Sequence, residues 1–178
     1  MQLSIRSVVE SDAESIISIL NPIISAGVYT VMDEPITLKS QTEFLRTFPE
    51  QGIFHVAITD DNKVVGLQDV IPVKVDSDLF NHIGEISTFV KLESFRQSIG
   101  STLSGKTFNI AKEKGFHKLR ATVRVDNEVA ISFYKNQGFT DCKTALSLMS
   151  VKYHKFDQII MEKYIMKFNK FNNTDTSL

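Results

Sequence analysis

The chain has 178 residues, 42% hydrophobic and 23% charged, with a formal net charge of -1 at neutral pH. That balance suits one substantial core, and the near-zero charge argues against a broad nucleic-acid or anionic-membrane surface, since such partners are held by summed positive charge. No apolar run approaches the roughly 20 residues of a membrane helix. A single cysteine, Cys142, and an amino terminus without a secretory leader point to a reducing, cytoplasmic setting.

In chain order, Leu3, Ile5, Val8 and Val9 around Ser4, Arg6 and Ser7 give the alternation of a first strand. Ser11 to Glu14 reads as an S-x-x-E capping box opening a helix with Ile16, Leu20, Ile23 and Ile24 on one face; Pro22 predicts a kink or break near Asn21. The section from Gly27 to Pro35 is irregular. Thr37 to Phe48 is a second amphipathic helix closed by Pro49 and Gly52. Ile53 to Ile58 and Val64 to Val75 form a hairpin across the polar turn Thr59 to Lys63. After a polar loop, Asp76 to His82, the spacing predicts a strand over Ile83 to Val90, a helix over Ile99 to Gly115 and a strand over Leu119 to Val125. A short helix follows from Asn127 to Asn136, ended by Gly138 in a left-handed conformation. Phe139 to Val151 and Phe156 to Ile165 supply two last strands, and the polar stretch from Lys167 to Leu178 is a frayed tail. The expected architecture is a mixed, mostly antiparallel α/β sheet of about seven strands flanked by about four helices. It forms one domain over 1–166, and its fourth and fifth strands are parallel neighbours through a right-handed crossover. Ligands enter such sheets at the carboxyl ends of parallel strands.

Residues 84–139 carry the chemistry. Between Val90 and Leu103 a strand gives way to a polar turn and a helix start holding Ser98, Gly100, Ser101 and Thr102. The first amides of a helix lack internal partners and, with the helix dipole, suit a phosphate; Arg96 adds charge. The same residues also suit a simple cap at Ser98 and a solvated Arg96, and a nucleotide-binding protein would use a similar turn. His55, His82, His117 and His154 have no metal-ligand spacing, so no metal is expected. Lys152, His154 and Lys155 form a small basic hairpin tip. The last two strands offer an edge for a homodimer, which nothing in the residues requires.

The run Asn127, Ala130, Phe133, Tyr134, Gly138 and Phe139 fills every place of N-x-x-A-x-x-[FL]-Y-x-x-x-G-F, and in this the chain resembles the GCN5-related N-acetyltransferase (GNAT) family. The family's cofactor loop, [QR]-x-x-G-x-[GA], falls on Phe95 to Gly100: Gly100 matches, Phe95 stands where Gln or Arg is usual, and Ser98 stands where Gly is usual. GEISTFV around Glu85, IGSTL at 99–103 and NPIIS at 21–25 resemble the phosphinothricin-acetyltransferase-like branch.

The resemblance implies acetyl-CoA held between splayed fourth and fifth strands. Its pantetheine arm would pair with the backbone near Phe89 and Val90, its pyrophosphate would lie on the amides of Arg96, Gln97, Ser98, Ile99, Gly100 and Ser101, and Asn127, Phe133 and Tyr134 would be close by. It further implies acetyl transfer to an amine, which Tyr29, Asp33 and Glu34 suggest belongs to a small molecule, with Glu85 as base, directly or through water, and Tyr134 as the acid that protonates the thiolate. Each has a plain alternative: Asn127 as an ordinary helix cap, Glu85 as a solvent-facing strand residue, Tyr134 as core packing beside Ala130 and Ile131. Tyr29, Asp33 and Glu34 are expected to receive the acceptor, with the loop 76–82 and the segment 146–156 bordering the cleft. A non-catalytic acyl-CoA-binding or sensing module is the alternative for the whole chain.

Overall fold

The computed structural model describes residues 2–73, 82–142 and 157–166. Seven strands form one sheet: β1 (Leu3–Ser7), β2 (Ile53–Thr59), β3 (Val64–Pro72), β4 (Ile83–Val90), β5 (Lys118–Arg124), β6 (Thr140–Asp141) and β7 (Gln158–Tyr164). Four helices cover it: α1 (Ala13–Ala26), α2 (Leu38–Arg46), α3 (Ile99–Glu113) and α4 (Glu128–Asn136). The order across the sheet is β1-β2-β3-β4-β5-β7-β6. The last strand thus inserts between β5 and β6, and every pairing is antiparallel except β4 with β5. No helix among the described residues is long and apolar enough to cross a membrane.

Strand alternation sorts the core into two layers. Phe54, Val56 and Leu67 pack with Ile16, Ile19, Leu20 and Ile23 of α1. On the opposite face Ile53, Val70 and Ile86 join Phe116, Tyr134 and Phe139 beneath α3 and α4. The α3 side also holds a polar seam: His55 Nδ1 meets Thr107 Oγ1 at 2.9 Å, and Gln68 Nε2 donates to Ser104 Oγ at 3.1 Å and Thr88 Oγ1 at 2.8 Å.

Two local expectations are corrected. The Ser11–Glu14 capping box does not open α1. A 3-10 turn over Glu10–Asp12 precedes the helix, and Asp12, at the N-cap of α1, makes no side-chain bond to that helix but closes the turn, accepting from the Val9 amide at 2.8 Å and from both terminal nitrogens of Arg6 at 2.7 Å. Pro22 does not break α1, which runs through it from Ala13 to Ala26. The proline is exposed, buried Ile19, Leu20, Ile23 and Ile24 fix the helix around it, and Asn21 bonds both backbone groups of Ile36. Helix α2 is capped by Thr37, whose hydroxyl accepts from the Ser40 amide at 3.1 Å. Gly138 takes the expected left-handed conformation, φ 82°. The basic tip at 152–155, the segment 146–156, most of the loop 76–82 and the tail 167–178 lie outside the described residues.

Candidate active site

Strands β4 and β5 pair over only three positions, Ile83 with Lys118, Gly84 with Leu119 and Glu85 with Arg120. Beyond Glu85 the pairing ends, leaving a fork whose β4 edge, Ile86 to Val90, has no sheet partner on that side among the described residues. The amino end of α3 lies next to this fork in sequence. Its first internal bond is donated by the Thr102 amide to the Ser98 carbonyl, 2.9 Å, so the amides of Ile99, Gly100 and Ser101 precede the helical ladder and are available to an anion. Ile99 itself is core, 1% exposed, and offers only its amide, whereas Arg96, Gln97, Ser98 and Ser101 are exposed. The Ser101 hydroxyl accepts from Gln137 at 3.0 Å and the Gln97 amide group reaches the Glu93 carbonyl at 3.4 Å.

The turn is backbone-strained. Arg96 and Ser98 sit at φ 61° and 60°, left-handed conformations that side chains other than glycine disfavour. Ser98 makes no side-chain cap bond, so the simple-cap reading of this residue is replaced by a turn that has glycine's geometry without glycine. Gly100 meets a different need. A Cβ there would stand 2.8 Å from Cε2 of Phe133, so its missing side chain lets α3 and α4 approach, and that contact places Phe133 against the helix start.

Tyr134 is 5% exposed, its ring packed edge-on against Phe133 and Phe139 with centroids 5.0 and 5.1 Å away. It is both a core aromatic and a polar group in the fork: its hydroxyl donates to Thr88 Oγ1 at 3.2 Å and the Ile86 carbonyl at 3.4 Å. Burial raises its pKa, so the phenol holds its proton at neutral pH. Asn127 caps α4, its Oδ1 accepting from the Ala130 amide at 3.0 Å, while its Nδ2 donates to the Tyr29 carbonyl at 2.9 Å.

Below the fork opens a cavity of about 520 Å³. Glu85 lines it half-buried, accepting from Thr122 Oγ1 of β5 at 2.5 Å; burial raises its pKa despite that bond and the nearby Arg120. Tyr29 also lines it and stacks edge-on against Phe95, centroids 5.5 Å apart, the position where a polar residue was usual. Asp33 and Glu34 are exposed and do not line it. Two lining residues went unread in the sequence. Asp69 of β3, 8% exposed, has its carboxyl pushed up to about 7, chiefly by burial and further by Glu85. Arg124 ends β5, bonds Asp126 at 2.8 and 2.5 Å, and donates to the Gly27 and Thr30 carbonyls at 2.7 and 3.2 Å. With Asn127 it staples the irregular section after α1 over the cavity. The signal for Asp69 was available: an acid inside the β-branched run VVGLQDVIP is too costly to bury without a task.

The sheet is thus forked between its parallel strands, with a helix start beside the fork and a tyrosine hydroxyl within it. A family model described as Acetyltransferase (GNAT) domain matches residues 5–160, and the chain belongs to the GNAT acetyltransferase family. Among solved structures, yncA from Salmonella typhimurium, with its cofactor acetyl-CoA, superposes with a TM-score of 0.80 at 18% identity, covering 96% of this chain and 98% of that one. A GNAT superfamily phosphinothricin acetyltransferase from Sinorhizobium meliloti in complex with acetyl-CoA gives 0.79 at 19% identity, covering 92% and 89%. A ribosomal-protein-alanine N-acetyltransferase from Brucella melitensis gives 0.79 at 23%, covering 90% and 99%. Likeness at these identities is likeness of fold. A search of the curated proteins finds no significant match.

Proposed function

We propose that the chain transfers the acetyl group of acetyl-CoA to the primary amine of a small molecule. The observation that carries this reading is the fork between β4 and β5 holding the Tyr134 hydroxyl above a cavity lined by Glu85. The chain fits acetyl-CoA: the unladdered amides of Ile99, Gly100 and Ser101, with exposed Arg96, suit a pyrophosphate, and the unpaired β4 edge at Phe89 and Val90 suits the amides of a pantetheine arm. When bound, it supplies an activated acyl carbon and a thiolate leaving group.

The rest of the chemistry falls to this chain's residues. An alkylammonium of pKa about 10.4 must lose a proton before its nitrogen is nucleophilic. Glu85, directly or through a water, takes that proton, and its raised pKa brings it nearer the working pH of a base. As the carbon–nitrogen bond forms and the carbon–sulfur bond breaks, the nitrogen sheds its second proton to solvent, and Tyr134 gives its own proton to the departing sulfur and regains one from solvent. Thr88 and the Ile86 carbonyl aim the phenol.

The test is thiol release from acetyl-CoA on addition of an amine library, with Tyr134→Phe as the diagnostic variant. The expected result is a kcat about 100-fold lower with an unchanged thermal shift on acetyl-CoA binding. Equal turnover by the variant would remove the acid role. Acetyl-CoA binding without thiol release from any amine would instead establish the non-catalytic acyl-CoA module.

A further inference from the structure

The same cavity limits which amine it can take, an inference that rests on the transferase reading above. At about 520 Å³ the space suits a small molecule. Leu20, Ile36, Phe44, Phe54, Leu67 and Ile71 give it an apolar wall. Asp69 and Glu85 are the only carboxyl side chains that line it among the described residues, and they share a face: Ile71 pairs with Glu85 and Asp69 with Ser87, so the two acids stand diagonally across adjacent antiparallel strands. Asp69 forms no ion pair among the described residues.

Among the described residues, positive charge is the scarce element in the lining. Arg124 is the only cationic side chain that lines the cavity among the described residues, and its guanidinium is neutralised by Asp126 and held by two backbone carbonyls. Arg120, which faces Glu85 from β5, is bonded to Glu162 at 3.3 Å. An acceptor bringing its own carboxylate would have to bury it against two acids with no uncommitted cation among these residues to receive it. A second ammonium would be stripped of water against buried Phe54 and Leu67.

We propose that the acceptor is an apolar monoamine, an alkyl- or arylalkylamine without a carboxylate, and that Asp69 receives its ammonium group beside Glu85. The ammonium supplies the buried carboxyl with the opposite charge it lacks and draws it towards the ionised form, while the apolar body fills the wall. Glu85, joined to Thr122 at the fork, is left to act on the proton.

The experiment compares kcat/KM for phenethylamine and hexylamine with that for phenylalanine, leucine and spermidine on the wild-type chain, then repeats phenethylamine with Asp69→Asn. The monoamines should exceed the amino acids by about 100-fold, the scale of the cost of one buried polar group left unpaired. Asp69→Asn should raise the KM for phenethylamine by about tenfold or more while leaving the acetyl-CoA thermal shift in place, which also reports that the variant folds. Faster turnover of the amino acids or of spermidine overturns the assignment on the wild type alone, and so does an unchanged KM in a folded variant. Should no amine release thiol, calorimetry of phenethylamine with the CoA-loaded protein separates the two readings: binding that depends on Asp69 supports the acceptor site and removes the transferase reaction, and absent binding overturns the acceptor site.

Discussion

Asp69 concentrates the physical tension of the site in one side chain. Its carboxyl has an ordinary value of 3.8 and is pushed up to about 7 in the fold. Because the folded value lies above the unfolded one, the native state binds the extra proton between those limits. The stability that this proton contributes is complete below about pH 4 and is lost as pH rises towards 7. The Asp69→Asn variant has no proton to lose. Urea melts of both proteins from pH 4 to 8 should therefore show wild-type stability falling relative to the variant across that window; parallel curves would show a carboxyl not perturbed by burial. Glu85, also raised by burial and on the same face, adds a loss of the same sign as pH rises above its ordinary value of 4.5, whereas Asp12, held low by Arg6 and the Val9 amide, acts only at the acid end. Tyr134 was readable from its spacing to Asn127 and Gly138, because a helix of fixed pitch carries spacing into space. Asp69 was legible only as an acid inside a β-branched run; its place in the cavity depends on which face of β3 looks into it.

At the scale of elements, the turn into α3 and its contact with α4 decide how well the cradle is built. Ser98 occupies a left-handed position at a cost of about 1 kcal/mol over glycine. Replacing it by glycine should raise stability by about that amount and tighten acetyl-CoA binding, both measurable by thermal shift against ligand concentration; weaker binding would mean that the serine side chain serves the ligand. Gly100→Ala should act oppositely. Helix propensity alone would favour alanine by about 1 kcal/mol, but the new methyl meets Phe133, so overpacking costing about 1–3 kcal/mol should win and lower the Tm. A raised Tm would show that Phe133 swings aside freely. The strands and helices were largely legible because burial alternates at two and at about 3.6 residues. The unbroken α1 was not, since Asn21 is tied to Ile36, 15 residues away.

For the whole molecule, the fork, the α3 start, the α4 tyrosine and the section stapled by Arg124 and Asn127 come from distant parts of the chain and meet only in the folded state. A ligand that bridges them binds the folded chain alone. Acetyl-CoA at 100 times its Kd should then add about 2.7 kcal/mol to unfolding stability, and ATP or NAD at equal concentration nothing; equal stabilisation by all three would reduce the site to a general anion cradle. The α/β class, the order of elements and the spacing that sets Tyr134 on α4 were all legible in the amino-acid order, because they rest on local periodicity and short fixed spacings. Only the tertiary structure decided that β7 inserts beside β5, that Ser98 is left-handed, that Asp33 and Glu34 stand outside the cavity and that Asp69 stands within it. Those outcomes depend on strand register and on contacts between residues far apart in the chain, where burial and the pairing of charge are set by neighbours that sequence spacing does not fix.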